Sequence, residues 1–132
     1  MLLTLLFAAI NGFIAFFGKK LFRMQGWDIV PFSIVFLAWR GENIVIAALL
    51  LCLSYAFTSA KALRFLWFSF PLTIIVGLLS LIIPNMLLLI LIYHAISLGI
   101  ALVTSTFGPR YTMFMFTNLA MNILAWRLYA GF

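Results

Sequence analysis

Residues 65–83 and 86–104 each run for about the length that spans a bilayer core, close to 20 residues, without a charged side chain. A chain that strings such runs together folds only where its apolar surface can avoid water. Water-soluble domains carry charge on roughly a quarter of their residues, whereas 8% are charged here and 67% are hydrophobic. In hydrocarbon every backbone N–H and C=O needs a protein partner, which leaves helices and closed barrels. The apolar runs are continuous and do not alternate with polar residues, so the barrel pattern is absent. The expected fold is an all-α integral membrane protein, a single domain over 1–132 built as a compact bundle of six short transmembrane helices.

The apolar runs are 2–17, 29–39, 44–58, 65–83, 86–104 and 111–131. One helix over 65–104 would be about 60 Å long, twice the hydrocarbon thickness, so the chain must turn back. Pro84-Asn85 is the natural corner, because proline ends a helix and asparagine tolerates turn conformations. Residues 29–39 are short for a crossing. A single long helix over 29–58 would give five crossings and place Lys19, Lys20 and Arg23 opposite Lys61, Arg64 and Arg110. With 27–40 crossing alone, counted as helix from 25 and about 24 Å long, all six basic residues share one face. The positive-inside rule favours this threading, with both termini extracytoplasmic in a membrane of the prokaryotic plasma (inner) type. A re-entrant 27–40 is the remaining alternative. In the favoured threading Trp27 and Trp39 mark the two interfaces. The N-terminal run has no basic residue before it, so it reads as a retained helix.

Leu37-Ala38-Trp39-Arg40 returns as Leu124-Ala125-Trp126-Arg127, each after a basic turn that opens its helix. The echo suits a weak three-plus-three repeat of 1–58 and 65–132, a device found in transporters, although so biased a composition also produces four-residue matches by chance.

The net charge of +6 would point to nucleic acid in a soluble protein. Between apolar segments it is accounted for by the positive-inside rule and anionic lipid headgroups. Membrane lipids are therefore expected partners and nucleic acid is not. Cys52, the sole cysteine, lies in an apolar run and reads as packing.

Few side chains remain to carry chemistry. Asp28 and Glu42 are the only carboxylates. Arg40-Gly41-Glu42-Asn43 is the charged cluster at an apolar junction, where ionisable residues often mark proton or substrate paths. The same four residues also make an ordinary hairpin turn, with Gly41 for backbone freedom, Arg40 snorkelling and Glu42-Asn43 capping the next helix near its positive dipole end. His94 is the sole histidine, with Ser97 one turn on. Its roles are an interhelical hydrogen bond to Ser97 or a facing helix, a proton relay, or ligation of a haem whose second ligand another subunit supplies. Asn118 and Asn122 share a helix face, and Asn11 lies beside Gly12 in a small polar seam; both suit hydrogen bonds between helices. Arg40, Glu42, His94 and Asp28 are thus the candidates for transport or proton coupling, and Asn11, Asn118, Asn122 and Ser97 those for polar helix–helix contacts. No metal or cofactor motif is present, and three acids and histidines in all make an enzyme acting alone a poor fit. The expected function is a small transporter or channel-like unit moving a small solute or ion as a homo-oligomer. The alternative is a non-catalytic anchor or assembly subunit among partner membrane subunits.

Overall fold

The computed structural model describes residues 1–22, 28–56, 66–104 and 109–131. These form six α-helices and no strand: α1 (Leu2–Phe22), α2 (Val30–Trp39), α3 (Ile44–Ala56), α4 (Leu66–Leu79), α5 (Met86–Val103) and α6 (Pro109–Ala130). Arg23, Trp27, Lys61 and Arg64, on which part of the charge argument rested, lie outside the described residues. Leu2–Lys20 and Met86–Val103 are long and apolar enough to cross a membrane.

The architecture is set by α2. It packs against all five other helices, which surround it with α1 on α3, α3 on α4, α4 on α5 and α5 on α6. Eight of its residues are buried: Val30, Pro31, Phe32, Ser33, Ile34, Val35, Leu37 and Ala38. A helix apolar on every side is stable only when it is enclosed. The large outer helices pack by aromatic contact: Phe7 of α1 and Tyr129 of α6 lie 5.1 and 5.4 Å from the Phe36 ring, with Phe32 beside both.

A central helix of ten residues is only about 15 Å long, whereas α1 and α6 each exceed about 30 Å. Glu42, just past the end of α2, meets the amino group of Met1, while Ile29, at its start, meets Asn11 halfway down α1. The two helices are therefore antiparallel, and α2 begins level with the middle of α1. Its start is equally level with the middle of α6, through Asn118 and Asn122, and α6 runs in the same direction as α2. Helix had been expected from residue 25, yet Asp28 and Ile29 are not helical. Pro31 explains the late start, since its missing N–H removes one rung of the ladder and side chains serve the donors around it.

The long helix over 29–58 is not formed, because α2 ends in a glycine-closed turn. Gly41 adopts a φ of 82°; its N–H donates to the Ala38 carbonyl at 3.1 Å, and the Glu42 N–H reaches Leu37 O at 3.0 Å. This paired pattern closes a helix only where the residue past its end tolerates a left-handed backbone. Asn43 then opens α3 by accepting from Ile46 N, and Asn85 opens α5 by accepting from Leu88 N, both at 3.1 Å. The end of α4 comes at Leu79, short of the expected 83. There the Leu81 and Ile82 N–H groups turn in to bond three residues back, to Leu78 and Leu79.

Candidate functional site

The first turn of a helix leaves N–H groups without partners inside the helix, and burying them unpaired is costly. At α2 side chains from three parts of the chain meet that demand. Asn11 of α1 accepts from Ile29 N at 2.7 Å, Asp28 from Val30 N at 2.9 Å, and Asn122 of α6 from Phe32 N at 3.1 Å. Pro31 has no N–H to satisfy. One residue upstream, Asn118 accepts from Asp28 N at 2.9 Å. The donors of these amides are used too. Asn11 gives one N–H to Phe7 O and another to the Ser33 hydroxyl, which itself donates to Ile29 O. Asn122 donates to Asn118 O and, at 3.3 Å, to Asp28 O. Asn118 also donates to the Asp28 carboxylate. Asn11, Asn118, Asn122, Ser33 and Asp28 are all buried.

The structure thus brings four of the sequence candidates together: Asp28, Asn11, Asn118 and Asn122. Ser33 is the member that the sequence reading passed over. A serine near the start of a short apolar helix was the available signal, since a hydroxyl there can turn back to the carbonyl one turn earlier. The cluster places a carboxylate and a non-helical backbone step at half the depth of the bundle. Local donors, the Val30 N–H and the Asn118 amide, face the carboxylate, and it lies at the helix end whose dipole favours negative charge.

The remaining candidates lie elsewhere. Arg40 and Glu42 do not pair with one another. Both carboxylate oxygens of Glu42 face the amino group of Met1, at 2.8 and 2.9 Å, and the Arg40 guanidinium sits 5.0 Å from the centre of the Phe36 ring. Met1 is 60% exposed, so solvent screens this ion pair and it contributes about 1 kcal/mol or less. An exposed cation–π contact is of similar size. Glu42→Gln and Arg40→Gln should each move the thermal unfolding midpoint in detergent only slightly. A failure of either variant to accumulate would show that the turn is desolvated.

His94 turns back onto its own helix: its Nδ1 lies 2.8 Å from the Ile90 carbonyl. Among the described residues its Nε2 is buried without a hydrogen-bond partner. Ser97 is half-buried one turn on. Nearby in the fold, Cys52 Sγ and Tyr93 Oη each lie 3.5 Å from Thr73 Oγ1, which donates to Ser69 O. Trp39 closes the other end of α2, its indole N–H donating to Ser80 O at 2.8 Å. It stands over an open cleft of about 450 Å³ lined by Ala38, Trp39, Ser80, Leu81, Ile82 and Pro84. Among the described residues no three His, Cys, Asp or Glu side chains gather where they could hold a metal ion.

No known protein family, curated protein or solved structure matches the chain.

Proposed function

We propose that the protein is a membrane-embedded transport unit, a small transporter or channel-like element whose working step is the polar junction at the start of α2. The carrying observation is the half-length helix itself. A short enclosed helix begins at mid-depth, its first donors held by Asn11, Asp28 and Asn122. Helices interrupted at mid-depth, with polar groups at the break, are how many membrane transporters build a substrate site. Irregular backbone at that depth is tolerated where protein encloses it or water reaches it.

Several features support a bilayer setting. Leu2, Leu5, Phe13, Phe16 and Phe17 of α1 are exposed, an apolar face suited to lipid and poorly suited to water. Lys19 and Lys20 lie in the last turn of α1, at the opposite end from Met1 and Glu42. By the positive-inside rule that end is cytoplasmic and the Met1 end is outside, in a prokaryotic inner membrane. One chain of this size encloses little volume, so the unit envisaged is an assembly of copies.

Asp28→Asn tests the reading. Asparagine keeps an oxygen that can accept from Val30 N while removing the only acid at the junction, so the variant should fold and reach the membrane. In proteoliposomes solute or ion flux should fall well below wild type. Wild-type flux from Asp28→Asn would remove the junction from the mechanism. A wild-type chain that moves nothing and copurifies with another polypeptide would return the protein to the anchor-subunit class.

A further inference from the structure

We propose that Nε2 of His94 is the binding point for a small neutral hydrogen-bond donor held inside the bundle: a resident water molecule or a transported solute of the same chemistry. The solute arm rests on the transport reading above; the site itself does not.

The other ring nitrogen sets the tautomer. Nδ1 lies 2.8 Å from the Ile90 carbonyl oxygen. A carbonyl can only accept, so Nδ1 carries the proton. In the neutral ring Nε2 then presents its lone pair. Among the described residues that atom is buried without a partner, in a residue only 8% exposed. Buried polar atoms are nearly always satisfied, and an exception calls for a water, an ion or a ligand. The tether to Ile90 also fixes the ring's orientation, so the lone pair is aimed before anything arrives.

Charge decides what kind of donor fits. Helices α2, α4 and α6 pack on α5. Neither Val30–Trp39 nor Leu66–Leu79 contains an ionisable side chain. The ionisable side chains of Pro109–Ala130 are Arg110, Tyr111, Arg127 and Tyr129, none of them acidic and all near its ends. On α5 itself only Tyr93 adjoins the histidine. Asp28, just before α2, is engaged by Val30 N and Asn118. A cation brought to Nε2 would find no free carboxylate on these helices, and burying an uncompensated charge is costly. A neutral donor needs no counter-charge.

His94 is the only histidine, so histidine labelled with nitrogen-15 gives one pair of ring signals in a lipid bilayer. The expected spectrum has a protonated Nδ1 and a bare Nε2 that receives magnetisation from exchangeable protons. A proton on Nε2 in the neutral ring, or a bare Nε2 without contact to mobile protons, would overturn the proposal. Urea, a small neutral donor, separates the two sources. If added urea displaces the water signal at Nε2, and His94→Leu lowers urea flux into proteoliposomes to the protein-free rate, the site lies on the transported path. If the signal is unmoved and flux unchanged, the occupant is resident water. Contact at Nε2 in a protein that transports nothing would leave the site standing and remove the transport reading.

Discussion

Asn122→Leu is expected to destabilise the bundle by about 1–3 kcal/mol for each backbone group it strands, the cost of burying a donor or acceptor without a partner. Two such groups depend on this side chain: the Phe32 N–H, which donates to Asn122 Oδ1 at 3.1 Å, and the Asp28 carbonyl, which accepts from its Nδ2 at 3.3 Å. Leucine is close in volume, so the loss would come from hydrogen bonding rather than from a cavity. Leu124→Ala serves as a control on the same helix, because Leu124 is 56% exposed and should shift stability little. Thermal unfolding in detergent compares the two. Hydrogen exchange adds a local readout: the Phe32 amide should lose protection in Asn122→Leu before amides in the middle of α5 do, since opening begins where ties are fewest. If Asn122→Leu unfolds at the control's temperature and Phe32 stays protected, Asn122 does not hold the start of α2.

The helices themselves were legible because continuous apolar runs, punctuated by Gly41, Pro84-Asn85 and the basic turns, leave the backbone one way to satisfy itself. Their lengths were less so. Residues 25–29 read as the opening turn of a crossing because nothing local forbids helix there before Pro31. The partners that Asp28, Ile29 and Phe32 find instead come from far along the chain: Asn11 from one side and Asn118 and Asn122 from the other, roughly ninety residues away for α6. The spacing of Asn118 and Asn122 put them on one face, but spacing carries no information about which backbone that face will meet. Asp28 was visible as one of two acids, and its place at the junction follows only once α2 stands at the centre.

Residues 40–43 form the turn that was one of their two sequence readings, but the partners of the two charges were not legible, for a related reason. Adjacent opposite charges suggest a pair, yet the turn closed by Gly41 directs Glu42 toward Met1 and lets Arg40 lie over Phe36. Backbone geometry at one glycine outweighed proximity in sequence. His94 was visible as the sole histidine. Its state was not, since the choice between a bond to Ser97 and a bond back to Ile90 depends on the ring's rotamer within a packed helix.

Gly77 provides the sharpest test of that packing, because two effects of known size oppose one another there. Glycine within a helix is less favourable than alanine by about 1 kcal/mol, so Gly77→Ala would stabilise α4 if space allowed. Space is what the fold denies: a Cβ at this position would lie 2.7 Å from Ile44 Cγ2 and 3.1 Å from Ile34 Cγ1. Neither neighbour gives way easily. Both are β-branched and stiff at χ1 within a helix, and Ile34 is fully buried. Overpacking of this kind costs about 1–3 kcal/mol, so the packing loss should outweigh the helical gain and Gly77→Ala should destabilise. Removing the closer methyl ought to reverse the balance. Ile44→Ala loses stability by itself, but in that background Gly77→Ala meets only the looser contact to Ile34, and the substitution should become neutral or stabilising. A double-mutant cycle measured by thermal unfolding isolates the coupling between the two positions. Additive effects would mean that α3 and α4 slide apart to accept the methyl, and that the close approach of α4 to α2 is not required for the bundle.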